Sequence, residues 1–286
     1  MVWLLLISAH LVGIVGYTLL LRKSALGNLD KTLMAALMQT AIFLPSILFL
    51  IFGSVSFNHS LNEWIFLTLG GFMLAGLMMT NVWALSHLEA SLFTILYNLR
   101  LLMTTILGYI VLGELPTPLQ LIGGLIILVS ILMLNLHQNN RWRSKSILIG
   151  LFAMLWFSFH AVLEKYNLQR LDFQSYFFTF ALIGTVLMWL LVLYKRINII
   201  GQIKHIHDKK IYVMLVTRAL SAYGYTYALL FGSLAVTNYV SGMSVALIVL
   251  FGIYVLGEKE DMKQKLTSVV VACVGLTLIL IGKLLQ

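Results

Sequence analysis

Residues Ala219–Gly257 read ALSAYGYTYALLFGSLAVTNYVSGMSVALIVLFGIYVLG, 39 residues without one charged side chain. A helix crosses a bilayer with about 20 mainly apolar residues. The stretch is therefore long enough for two passes, and Gly232-Ser233 offers a turn between them. Working outward, charges and polar turns divide the rest of the 286-residue chain in the same way. Ten candidate spans result: Val2–Leu21, Thr32–Phe52, Trp64–Ser86, Ser91–Leu112, Pro118–Leu136, Ile147–Leu163, Phe173–Tyr194, Ile211–Leu230, Ala235–Leu256 and Leu266–Gly282.

Composition agrees. The chain is 60% hydrophobic and 10% charged, with a mean hydropathy of +0.97, where a soluble domain carries about 25% charged residues. A soluble enzyme, a disordered chain and a disulfide scaffold are excluded. The runs are too long and too continuous for the alternating pattern of a membrane β-barrel. The expected fold is an all-α integral membrane protein. Met1–Leu21 is uncharged and lacks a basic leader region, so it reads as the first helix and not as a signal peptide. The single Cys273 cannot form an intrachain disulfide. The longest linker, Lys195–Lys210, leaves no room for a soluble domain.

The end of the opening stretch recurs. Ile253-Tyr254-Val255-Leu256-Gly257-Glu258 matches Tyr109-Ile110-Val111-Leu112-Gly113-Glu114 at an offset of 144. Tyr227-Ala228-Leu229 matches Trp83-Ala84-Leu85 at the same offset, and Glu164-Lys165 with Leu171-Asp172 matches Arg22-Lys23 with Leu29-Asp30 at 142. Near-constant offsets at three places point to a duplicated five-helix unit, residues 1–140 and 141–286. Five is odd, so the copies enter the bilayer from opposite sides, as two inverted repeats.

The net charge is +9. In a membrane chain such an excess orients loops and meets anionic lipid, and does not call for nucleic acid. Fourteen Lys and Arg fall in the loops between helices 1–2, 5–6, 7–8 and 9–10, against three on the opposite face. Equivalent loops of the two copies carry opposite bias, as the positive-inside rule requires of an inverted pair. By that rule both chain ends face away from the cytoplasm.

At the paired motifs the sequence resembles the EamA family of the drug/metabolite transporter superfamily. Trp83-Ala84-Leu85 with Glu89-Ala90-Ser91, then Leu112-Gly113-Glu114 with Thr117-Pro118-Leu119-Gln120-Leu121-Ile122-Gly123, looks like the second half of an EamA repeat. The second copy is looser: Glu260-Asp261-Met262 replaces the Thr-Pro stretch, and Gly123 has no clear glycine equivalent. The resemblance implies a ten-helix secondary transporter with a central cavity between its halves. It names no substrate, since the superfamily handles amino acids, sugars, nucleotide-sugars, phosphorylated metabolites and drugs. Inverted repeats suit alternating access, because exchanging the conformations of two similar halves turns an outward-open cavity inward.

Ionisable groups inside a bilayer are costly and point by default to function. Arg100 lies about 14 Å into its helix, counted from Ser91 at 1.5 Å per residue, and Arg218 about 12 Å beyond Lys210. A structural arginine bonded to backbone carbonyls is the competing account of each. The carboxylates Glu89, Glu114, Glu164 and Glu258 all fall near the ends of the expected spans, and Glu114 and Glu258 are placed to favour the N-termini of helices 5 and 10. Two deep arginines without an internal acid suggest that the cargo supplies the anion, and guanidinium forks suit carboxylate and phosphate. The expected cavity lining is His10, Asn81, Trp83, Tyr97, Asn98, Arg100, Trp156, His160, Arg218, Ser221, Tyr225 and Asn238. Thr80, Ser158, Tyr223, Tyr227, Tyr239, Ser241 and Ser244 lie around them, whereas Tyr17 and Tyr254 read as packing or interface residues.

His10 and His160 could accept protons if transport is proton-coupled; an interhelical hydrogen bond is the plainer account. Gly71 with Ala75, and Gly123-Gly124, suit close helix approach, and Pro45 suits a kink. His205 and His207-Asp208 read as a solvated loop, so no metal and no cofactor are expected. No nucleophile–base pair or His-Glu-x-x-His string is present, so the chain is not expected to be an enzyme. The reading is a multi-pass transporter of a small polar metabolite in a plasma membrane, the inner membrane of a bacterial cell. A membrane enzyme or a non-transport membrane partner is the alternative.

Overall fold

The computed structural model describes residues 2–20, 29–87, 99–135, 144–206, 209–255 and 262–285. Every regular element among them is helical: α1 (Val2–Leu20), α2 (Lys31–Ile51), α3 (Leu61–His87), α4 (Arg100–Leu107) continued by a π turn (Gly108–Leu112), α5 (Pro118–Asn135), α6 (Ser144–Leu168), α7 (Phe173–Tyr194), α8 (Ile199–Ile206), α9 (Lys209–Phe231), α10 (Leu234–Gly242), α11 (Ser244–Val255) and α12 (Met262–Leu284). Among the described residues α1, α2, α3 over Leu61–Asn81, α7 and α12 are long and apolar enough to cross a membrane. The polarity runs outward-apolar. Leu5, Leu48, Phe72, Val186, Leu190, Val216 and Val270 are exposed, whereas Gln39, Ser46, Thr104, Ser158, Ser221, Thr237 and Asn238 are buried. A chain with lipid as its outer solvent is arranged in this way.

Local chemistry sets the helix ends. Asp30 accepts from the N–H groups of Thr32 (2.7 Å) and Leu33 (3.1 Å) at the start of α2, and Asp172 accepts from Ser175 N–H (2.8 Å) at the start of α7. Residues matched at an offset of 142 thus perform the same N-capping task. Two capping boxes start α3 and α5. The Ser60 N–H and hydroxyl both donate to Glu63. Thr117 N–H donates to Gln120 Oε1 (2.9 Å) while Gln120 N–H donates back to Thr117 Oγ1 (3.2 Å). That reciprocal pair, with Pro118 at the first helical position, is the physical content of the Thr-Pro-x-Gln string. Gly113, at φ 69°, ends the π turn in the left-handed region that a glycine enters without strain.

The turn expected at Gly232-Ser233 is present, and Ser233 Oγ accepts from Val236 N–H. Three expectations change. The ninth span is broken at Met243, whose N–H bonds three residues back to Val240 (3.1 Å), a tightened turn between α10 and α11. The linker after the seventh span contains α8. The sixth span does not stop at Leu163: α6 continues through Glu164 and Lys165 to Leu168, because both charged side chains are buried against partners. Most of helix 4 before Arg100 lies outside the described residues, as do the 5–6 loop and Glu258.

The chain forms two compact units, each drawing on both sequence halves: residues 1–83 with 163–230, and 84–162 with 231–286. In the first, α2 and α7 run antiparallel. Lys195 Nζ donates to Thr32 Oγ1 (3.0 Å) at one end, Trp189 Nε1 to Thr40 Oγ1 (2.9 Å) midway, and Ser56 N–H to Ser175 Oγ (2.7 Å) at the other. Asp30 N–H also donates to Gln202 Oε1 of α8 (2.7 Å), so the start of α2 and α8 share an end of this unit. α1 and α9 are likewise antiparallel: a Cβ on Gly13 would lie 2.5 Å from Ser221 N, and one on Gly224 2.6 Å from His10 N. Contact this close needs glycine.

In the second unit α5 and α12 cross backbone to backbone, a Cβ on Gly123 lying 2.5 Å from Gly275 O and one on Gly275 2.6 Å from Gly123 O. Gln264 Nε2 donates to Met133 O (2.5 Å) at one end of this pair, and Gly282 faces Thr117 at the other, so it too is antiparallel. α4 and α10 oppose one another: Leu101 lies on Gly242, Thr105 Oγ1 donates to Tyr239 Oη (2.8 Å), and Gly108 faces Leu234. Helices 2 and 7, 4 and 9, and 5 and 10 are the pairs that the sequence offset makes equivalent, and each pair is antiparallel.

Candidate functional site

A polar file crosses the first unit along one stripe of α9. Arg218, Ser221 and Tyr225 recur at helical spacing, with Thr226 beside them. From α1, His10 Nδ1 lies 2.9 Å from Ser221 O and 3.0 Å from Ser221 Oγ, and its ring lies 5.2 Å from that of Tyr225. The Arg218 guanidinium lies over the Tyr17 ring at 5.4 Å and reaches Met78 Sδ at 3.7 Å. At the other end of the file Thr226 Oγ1 donates to Glu164 Oε1 at 2.6 Å. Glu164 is 3% exposed and Tyr176, from α7, is fully buried; the Arg218 and Glu164 charges lie within each other's field. Lys165, also buried, donates to Leu229 O in the last turn of α9, where a cation suits the helix C-terminus.

The second unit carries a different arrangement. Arg100 is 4% exposed, with its guanidinium 4.3 Å above the Phe157 ring. A cation over an aromatic face is held by the ring quadrupole, most strongly when desolvated. Thr104 Oγ1 donates to the Arg100 carbonyl at 2.7 Å. Trp156 and His160 lie four apart on α6, His160 buried and Trp156 half-buried. Asn238 is buried on α10 and donates to Leu234 O at 3.0 Å. Glu114 follows the left-handed Gly113, and its Oε2 accepts from Leu234 N–H at 2.6 Å. The glutamate expected to favour the N-terminus of helix 5 satisfies the N-terminus of α10, across the helix 4–9 contact.

The expected lining therefore falls into two groups: His10, Asn81, Arg218, Ser221 and Tyr225 in the first unit, Arg100, Trp156, His160 and Asn238 in the second. Trp83 sits on α3 at the edge of the first unit, and Tyr97 and Asn98 lie outside the described residues. Sequence reasoning missed Glu164, Tyr17, Tyr176 and Thr226. For Glu164 the sequence carries a signal: it continues the Trp156–His160 stripe by four residues.

Residues 1–136 match the EamA-like transporter family. Residues 1–136 therefore carry an EamA-like repeat, and the EamA family is part of the drug/metabolite transporter superfamily. The chain is a multi-pass membrane protein, and the family that its first half matches is one of transporters. A solved crystal structure of another protein is similar over 100% of this chain and 99% of its own length, with a TM-score of 0.79 at 17% sequence identity. Identity that low speaks for the fold alone. No curated protein matches the sequence.

Proposed function

We propose that this EamA protein is a secondary transporter that moves a small polar metabolite bearing a carboxylate or phosphate, by alternating access between inverted halves 1–140 and 141–286. The observation that carries the anionic cargo is Arg100, buried over Phe157. In an inverted duplication, equivalent residues of two antiparallel helices face each other only at the pseudo-two-fold axis, which lies in the membrane plane. Arg100 and Ser244 are such equivalents at an offset of 144, and Leu101 packs on Gly242 beside them. This supports a place for Arg100 near the bilayer midplane, where an arginine is retained for function. Its planar fork suits carboxylate or phosphate better than a point charge would.

The π turn after α4 and the break at Met243 supply bending points in the helix 4–9 pair, as discontinuous helices do in other carriers. His10, Asn81, Trp83, Tyr97, Asn98, Trp156, His160, Arg218, Ser221, Tyr225 and Asn238 complete the proposed lining. The membrane is a bacterial plasma membrane, with both chain ends outside the cytoplasm.

The test is uptake of labelled amino acids, dicarboxylates and phosphorylated sugars into proteoliposomes. At least one compound is expected to enter with the wild type and to raise the melting temperature of the purified protein. Arg100→Gln is expected to abolish that uptake, and Arg100→Lys to restore little of it. Full activity in Arg100→Gln would reject the role of Arg100. A wild type that carries and binds none of the panel would favour a non-transport membrane partner.

A further inference from the structure

α2 and α7 end in the same turn, built from different residues. After α2, Gly53 N–H bonds to Leu50 O (3.1 Å) and Ser54 N–H to Phe49 O (3.0 Å). After α7, Arg196 N–H bonds to Leu193 O (3.0 Å) and Ile197 N–H to Val192 O (3.2 Å). This closure places one residue in the left-handed region: Gly53 at φ 67° in the first case, Arg196 at φ 51° in the second. Glycine enters that region freely, whereas a side chain with a Cβ is strained there. Among the described residues Arg196 is the one non-glycine residue with a positive φ. An arginine kept where glycine serves the equivalent turn points to a task for the side chain.

The surroundings indicate the task. α7 is an apolar span that ends at Tyr194, so Arg196 stands where hydrocarbon gives way to headgroups. Leu193, Tyr194 and Ile200 are exposed beside it, and tyrosine is favoured at that boundary. Lys195 and Arg196 are exposed as well, and Lys195 Nζ is held by Thr32 Oγ1 at 3.0 Å. Exposed Lys31 starts α2 at this end, and exposed Lys209 starts α9, directly after α8 ends at Ile206. The Asp30 carboxylate, on the same end, is turned to the N–H groups of α2. In the sequence between α8 and its neighbours Lys204 and Asp208 offset one another. A cationic rim above an apolar edge complements a phospholipid twice, by charge at the headgroup and by hydrophobicity at the chains. A soluble anion would use only the rim.

We propose that the end of α7, with α8, forms a binding site for an anionic phospholipid. Arg196 takes the headgroup phosphate with Lys195 beside it, and Leu193, Tyr194 and Ile200 lie against the acyl chains. The site is independent of the cargo and of the transport reading.

The test is thermal unfolding of the detergent-purified protein titrated with short-chain phosphatidylglycerol, against phosphatidylcholine of the same chains. The wild type is expected to gain melting temperature, saturably, with the anionic lipid and not with the neutral one. Arg196→Gly removes the cation and the backbone strain together. It is expected to melt at or above the wild-type temperature without lipid, and to bind phosphatidylglycerol at least about fivefold more weakly. Arg196→Asn also tolerates the left-handed turn; it is expected to bind as weakly, and it decides the matter if Arg196→Gly does not fold. Lys263→Gln removes an exposed cation in the second unit and is expected to leave the affinity unchanged. Equal shifts with the two lipids, or wild-type affinity in the Arg196 variants, overturn the proposal. So does an equal loss in Lys263→Gln, which would mean diffuse attraction by net charge. Glycerol phosphate, the headgroup without chains, is expected to produce no shift that depends on Arg196 at the same concentration. A shift as large as that of the lipid would make this a soluble-anion site and overturn the lipid assignment.

Discussion

Arg100, in the second unit, is almost wholly buried above the face of Phe157, whereas Arg218, in the first, is half-buried above Tyr17 with the charge of Glu164 in its surroundings. The two are alike as residues and unlike as charges. A desolvated guanidinium on an aromatic ring is held by the ring face. One that shares its unit with a buried acid is partly compensated from within, and removing either member uncovers the other. The comparison teaches that depth along a helix does not decide what a buried cation is for. The charge inventory of the neighbouring helices does.

The sharpest test of that contrast is a mutant cycle on uptake. Arg100→Gln is expected to lower initial rates more than about 100-fold, the scale of losing a buried charged contact, and Glu164→Gln added to it should recover nothing. Arg218→Gln should cost about tenfold, with part of the loss restored by Glu164→Gln, since the uncovered acid is then neutral. Rescue of Arg100→Gln by Glu164→Gln would place both arginines in one network and end the distinction.

The units also differ in how their helices yield. Alanine at Gly224 would meet the His10 backbone at 2.6 Å, whereas at Gly242 it meets only the Leu101 side chain, at 3.0 Å. Gly224→Ala is expected to destabilise by about 2–3 kcal/mol and Gly242→Ala by under about 1 kcal/mol, read as melting temperatures in detergent. Equal losses would mean that α1 and α9 can separate. The capping aspartates should behave alike despite their distance in sequence: Asp30→Ala and Asp172→Ala are each expected to cost about 1 kcal/mol, and a strongly unequal pair would argue against equivalent starts for α2 and α7. Smallest is Tyr239→Phe, which removes the bond from Thr105 and should cost about 0.6 kcal/mol by chemical denaturation, the usual size of such a bond in lipid.

Much of the architecture could be read from residue order. Leu29-Asp30 and Leu171-Asp172 marked equivalent places of a repeat, Gly232-Ser233 a turn, and Gly123-Gly124 a close crossing, because turns and tight contacts depend on a few neighbouring residues. The site was less legible. His10, Ser221 and Tyr225 do meet, but Glu164 was discounted as a helix end because nothing local says that Thr226 and Tyr176 will come to face it. Glu114 was assigned to its own following helix for the same reason, although its partner, Leu234, is 120 residues away.

By itself the order of residues determined the solvent: so many apolar side chains with so few charges admit only lipid around helices. What only the folded chain decided is which buried charges share a unit. Backbone capping and hydrophobic length act within a turn or two of helix. The field at a buried carboxylate or guanidinium is set by side chains from other helices, brought near by packing that no short stretch of sequence encodes.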